Sequence, residues 1–123
     1  METYIITFSA LPGKENIIAD YYTSLEPEYA AAKGFRGRQI YQSRPGVMVE
    51  HVKKNMSAEE MAKHPAESGH EDESTMFVII EQWDSIDDRW AFSRSQDKGR
   101  AASLFPNLKP EHTHEYYHDI SVK

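Results

Sequence analysis

The sequence contains no cysteine. That excludes disulfide bridges, thiolate nucleophiles and Cys-ligated zinc. No apolar run approaches the roughly 20 residues that a membrane-spanning helix needs. The opening METYIITFSALPGKEN has no basic segment followed by a long apolar one, so a signal peptide is not expected. Basic stripes are missing too: 14 Lys and Arg stand against 20 Asp and Glu, for a net charge of −6. This balance argues against nucleic acid as a partner and against docking on an anionic membrane. Serine-nucleophile and phosphate-loop patterns are absent, since LPGKEN has one Gly and a Lys without P-loop spacing. No repeats, low-complexity tracts or linkers divide the chain. These absences lead to the expectation of a cytoplasmic protein with no nucleic-acid or membrane partner.

What is present suits a globular fold. Hydrophobic residues make up 39% of 123 residues, which predicts one domain over 1–123 with a real core. A chain this short is small for a deep pocket of its own, and such pockets often need a second subunit.

The run Thr3 to Phe8 reads as a strand, apolar on both faces as in a central position. Pro12-Gly13 breaks it. From about Lys14, Ile17/Ile18, Tyr21/Tyr22, Leu25 and Tyr29 recur at helical spacing. Pro27 predicts a break near Ser24 to Glu26, with a second segment through Ala32 and a stop at Gly34. FRGRQIYQS reads as a second strand, RPG as a turn, and VMVEHVKK as a third extended piece. A polar insertion, about 54–74, follows; within it SAEE fits a capping box on Ser57 and Glu60. The insertion reads as a solvated loop or a lid, with His64 and His70 solvated. TMFVIIEQW is the strongest strand. Asp84 or Ser85 caps the helix IDDRWAFSRS, Gly99 to Ala102 continues helically, FPNLKP is a loop, and EHTHEYYHDISVK is the last strand.

The order is β-α-β-β-α-β, the α+β ferredoxin-like arrangement with an antiparallel sheet. Helices cover one sheet face. The other also carries apolar residues and needs a cover, for which a second copy is the simplest choice, giving a homodimer.

Two groups of residues invite chemistry. Period two puts Phe77, Ile79, Glu81 and Trp83 on one strand face, so a carboxylate interrupts an apolar row. Glu81 could be a desolvated base, or it could bridge to Arg36, Arg38 or another cation. Trp83 could stack on an aromatic ligand or be a core ring, and Trp90 is expected to face the core. His112, His114, Tyr116 and His118 alternate along the last strand, with His51 beside Glu50 on the third extended piece. Histidines two apart on a strand can share a metal ion, but without a third fixed ligand a proton-shuttle role for His112 or His114 is favoured, with no metal. Tyr4, Tyr41, Tyr116 and Tyr117 could donate to a phenolic oxygen.

The stretch FVIIEQWDSIDDRWAFSRS, with Glu81-Gln82-Trp83, the Asp84-Ser85 pair and the following helix, resembles the antibiotic biosynthesis monooxygenase (ABM) family of the dimeric α+β barrel superfamily. The resemblance implies a dimeric α+β barrel that oxygenates electron-rich phenols, anthrones or quinols with O₂ and no cofactor. It turns the Trp83 face toward the barrel interior, so that Glu81, His112 and His114 would be catalytic and Trp83, Ile79, Phe77, Tyr116 and His51 would contact a small aromatic, quinol-like or polyketide-like substrate. Isomerisation, cyclisation or decarboxylation on the same fold is the alternative, as is a non-catalytic, stress-associated binding dimer. Where anthrone-oxidising members have an asparagine, four residues before the tryptophan, this chain has Ile79. Where haem-degrading members have a tryptophan and a histidine, it has Phe92 and Ala102, which weighs against haem breakdown.

Overall fold

The computed structural model describes residues 1–63 and 74–122. Strand β1 (Glu2–Ala10) leads into helices α1 (Glu15–Ser24) and α2 (Glu26–Ala31). Strand β2 (Phe35–Gln42) precedes α3 (Val47–Asn55) and α4 (Ala58–Ala62). Strand β3 (Thr75–Trp83) is followed by α5 (Ile86–Ser95), α6 (Lys98–Ala102), a 3₁₀ turn (Phe105–Asn107) and β4 (Leu108–Tyr117). The strands form one antiparallel sheet in the order β2-β3-β1-β4. The fold is α+β and ferredoxin-like, as expected.

Local chemistry explains most of the boundaries. Pro27 sits in the first turn of α2, where its missing N–H costs nothing, and Leu25 marks the break from α1. Ser85 rather than Asp84 caps α5, accepting from the Asp88 N–H. Ser57 and Glu60 form the expected capping box on α4. Gly34 has φ +81°, and a Cβ there would lie 2.2 Å from the Asp88 carboxylate, so no other residue fits.

Register assigns the faces. Tyr4 stands opposite Glu81 and Tyr116, Ile6 opposite Ile79 and His114, and Phe8 opposite Phe77 and His112. Arg38 and Ile40 join the same side from β2. This side is the one the helices cover. Phe8, Ala10, Phe77 and Ile79 pack with Ile18 and Leu104 in one cluster, and Trp83 packs with Leu25, Tyr29 and Phe92 in another. Burying each large side chain contributes roughly 1.5–3 kcal/mol. The opposite side presents Ile5, Thr7, Val78, Ile80, Gln39 and Tyr41.

The β1–β4 register slips once. Ala10 faces Leu108 while Phe8 faces His112, so two steps of β1 answer four of β4. The extra residues form a bulge that holds Pro110, on an edge strand where proline breaks no ladder.

Four expectations are corrected. VMVEHVKK is helix α3, not an extended piece; Val49, Val52 and Met56 are half-buried at helical spacing, which outweighs the β preference of valine. FPNLKP is a 3₁₀ turn that runs into β4, and β4 ends at Tyr117, leaving His118 beyond it. Trp90 is 62% exposed, because α5 turns Arg89 and Phe92 inward instead. Glu81 and Trp83 point at the helices and not toward a chamber between two bare sheets. His64, His70 and the rest of residues 64–73 within the insertion fall outside the described residues.

Candidate functional site

The helix-covered face has a closed end and an open end. Glu81 occupies the closed end, fully buried. Its Oε1 accepts from Arg89 Nε at 2.6 Å and from Trp83 Nε1 at 2.8 Å, and its Oε2 accepts from the Tyr29 hydroxyl at 2.7 Å. Arg89 also donates to Ser93 Oγ, and its guanidinium lies 4.5 Å from the centre of the Tyr4 ring. A buried carboxylate is tolerable only when its charge is balanced and its lone pairs are met, and here both conditions hold. Burial, the Glu81 charge and the hydrogen bond to it all push the Tyr29 phenol well above its ordinary range, partly offset by Arg89 and Arg38, so it stays a donor.

Arg36 and Arg38 pair elsewhere. Arg36 Nε meets Asp84 at 2.5 Å, and Arg38 meets Glu26 at 2.8 Å while stacking 4.1 Å from the Tyr29 ring centre. The bridge to another cation is therefore the arrangement found, with Arg89 as the cation. Sequence reading missed Arg89. The available signal was its spacing from Phe92, which puts both on one helix face below the strand that carries Glu81.

The open end is a pocket of about 500 Å³ beside β4. Phe8, Tyr22, Phe105, Leu108 and Ile6 make its apolar wall, and His112 with Pro110 and Lys109 its polar edge. Burial pushes the Tyr22 phenol up to about 12. Tyr22 stacks on Phe8 at 5.1 Å, and Phe8 on Phe77 at 5.3 Å, so the wall is a rigid aromatic stack.

One strand step beyond the pocket, His114 Nδ1 lies 3.1 Å from the Tyr4 hydroxyl. The His112 and His114 rings are 5.7 Å apart. Tyr116 closes the row, 4.8 Å from the Tyr4 ring. Burial raises the Tyr4 phenol while Arg89 opposes the shift. His114 thus connects through Tyr4 and Arg89 to buried Glu81.

The structure brings His112, His114 and Tyr116 together on one face, with Phe77 and Ile79 in the core beneath. It does not bring His51 to them as a third-strand residue. His51 is on α3, bonded to Asn55, and lines a separate hollow with Glu50 and Lys54. Trp83 is a fully buried core ring. Among the described residues no group of three or more His, Asp or Glu side chains is placed to hold a metal ion. No described helix is long and apolar enough to cross a membrane.

No protein-family model matches the chain, and no curated protein gives a significant sequence match. Solved structures do match. An antibiotic biosynthesis monooxygenase superposes with a TM-score of 0.62 at 10% identity, covering 98% of this chain and 100% of that one. SnoaB, a cofactor-independent oxygenase from Streptomyces nogalater, superposes with a TM-score of 0.58 at 11% identity, covering 98% and 95%. NE2512, a protein of unknown function from Nitrosomonas europaea, gives 0.57 at 17% identity, covering 99% and 91%. At these identities the likeness is one of architecture: the chain has the fold of the antibiotic biosynthesis monooxygenase structures.

Proposed function

We propose that the chain is a monooxygenase that takes a small aromatic, quinol-like or polyketide-like molecule into the pocket beside β4. The observation that carries this is a histidine at the rim of an apolar, aromatic-walled pocket, in a fold shared with a cofactor-independent oxygenase. An imidazole there can remove a proton from a bound quinol or anthrone, and the resulting anion is electron-rich enough to reduce O₂ without a cofactor. The balance closes: an anthrone and O₂ give a quinone and water, the methylene carbon being oxidised and O₂ reduced. The apolar wall holds the ring, and His112 or His114 moves the proton. Glu81 is not the base in this reading, because Arg89, Trp83 and Tyr29 already occupy both its oxygens.

Trp83, Phe77 and Ile79 support the pocket from the core and do not touch the substrate. Tyr116 lies beyond the pocket, against Tyr4. The working unit in this proposal is a homodimer, formed through the side of the sheet that bears Ile5, Val78, Ile80 and Tyr41. The whole chain, 1–123, acts as one domain.

The test is O₂ uptake with an anthrone and with menadiol, measured with and without chelator. Uptake that survives the chelator and falls about 10²–10⁴-fold in His112→Ala is expected for a lost general base. Pocket binding with no uptake across a broad aromatic panel overturns the oxygenase and leaves a binding module.

A further inference from the structure

The two imidazoles of β4 are held by partners of opposite character. His112 Nδ1 lies 3.0 Å from the Pro110 carbonyl oxygen, which can only accept. Nδ1 therefore carries the proton, and Nε2 of the neutral ring is a bare lone pair. His114 Nδ1 faces the Tyr4 hydroxyl, and that nitrogen is the hydroxyl's one hydrogen-bond partner among the described residues. With the phenol as donor, the proton of neutral His114 is on Nε2. The guanidinium of Arg89 beside the Tyr4 ring polarises the O–H toward donation. With that donor assignment, the two histidines, alike in sequence and 5.7 Å apart, carry different tautomers.

The backbone explains why His112 differs. Pro110 lies in the bulge, where the β1–β4 register slips and ladder pairing is interrupted. Bulges commonly re-aim groups beside functional sites. Here the bulge sets the Pro110 carbonyl against the ring two residues on. His112 also lines the pocket, beside Phe8, Tyr22 and Phe105.

We propose that His112 is the proton acceptor and His114 the hydrogen-bond donor of one ligand site, with Tyr4 and the Pro110 carbonyl as positioning groups. Its ligand is a hydroxyaromatic with a second oxygen adjacent to the hydroxyl. This deepens the reading of the pocket as an aromatic site and rests on it, but it does not depend on O₂. The ring lies against Phe8, Tyr22 and Phe105. The ligand O–H bond breaks and an N–H bond forms at His112 Nε2, leaving an imidazolium whose Nδ1–H still holds the Pro110 carbonyl. The adjacent ligand oxygen accepts from His114 Nε2–H. One imidazole alone would bind any phenol; the opposed pair selects those with two neighbouring oxygens.

Two measurements test this on the whole protein. Long-range ¹⁵N–¹H spectra of histidine-labelled protein should show His112 as the Nδ1–H tautomer, the minor form of a free histidine side chain, and His114 as Nε2–H. Binding of 2-nitrophenol and 4-nitrophenol, isomers of similar acidity, should differ. The 2-isomer should bind roughly five- to tenfold tighter, the worth of one hydrogen bond, and should be bound as the coloured phenolate. His114→Ala should erase that preference, and Tyr4→Phe should reduce it. His112→Ala should leave the bound probe un-ionised. Equal binding of the two isomers, one tautomer shared by both histidines, or undiminished ionisation in His112→Ala would each overturn the proposal. Neither probe consumes O₂, so loss of the oxygenase reading and loss of this one are separate results.

Discussion

The two ends of the helix-covered face use polar groups in opposite ways. At the Glu81 end the carboxylate is fully buried, and each oxygen is held by donors at 2.6–2.8 Å. At the β4 end His112 and His114 are exposed and keep a ring nitrogen free of protein partners among the described residues. The contrast teaches that burial alone does not mark a reactive group. A carboxylate enclosed by three donors is committed to structure, whereas a half-satisfied imidazole at a pocket rim is available to a ligand.

The sharpest way to break this contrast is Arg89→Met. It leaves Glu81 buried without its cation and should lower unfolding free energy by about 3–5 kcal/mol in urea titration. Adding Glu81→Gln to that variant should recover much of the loss, since no charge is then stranded. A single-variant loss under about 1 kcal/mol would put the Glu81 end in the same class as surface ion pairs.

A smaller effect comes from pH. Tyr22 has its phenol pushed up to about 12 by burial, against about 10 in an unfolded chain. Below pH 10 both states hold the proton. As pH rises from 10 to 12 the unfolded chain releases it first, so stability is lost through that window, by roughly 2–3 kcal/mol for this group. Tyr29 is raised as well and acts in the same direction. Tyr22→Phe should flatten the alkaline slope, and an unchanged slope would mean that the aromatic wall of the pocket opens to solvent.

The smallest effects belong to exposed groups. His114→Ala and Trp90→Ala should each stay within about 0.5 kcal/mol of the parent in the same titration. A cost well above that for His114 would move the β4 row into the structural class and erase the contrast.

Much of the fold was legible in the residues. Alternation in TMFVIIEQW, the Ser85 cap, the Pro27 break and the Ser57–Glu60 box each act locally, and local signals survive translation into structure. What failed depended on distant partners. Valines drew 47–54 toward a strand, although Val49, Val52 and Met56 are spaced for a helix. Hydrophobicity favoured Trp90 as the core residue of α5. The neighbour Arg89 goes inward instead, rotating the helix about 100° from that expectation, because buried Glu81 requires a cation. Alternation also yields two faces for each strand without saying which one the helices will cover. The Trp83 side was therefore placed toward a second subunit when it lies beneath α2 and α5. The histidine row was legible because strand period two is strict, but its two tautomers were not, since they depend on Pro110 and on Tyr4 from another strand.

The slip between β1 and β4 adds an even number of residues: Leu108 to His112 is four positions, against two from Ala10 to Phe8. Even steps preserve facing in a pleated strand, whereas odd steps invert it. Length variants of this segment are therefore constrained by parity. Gaining or losing a pair would shift the imidazoles along the strand yet keep them over the same cleft, while a single-codon change would turn both to the far side at once.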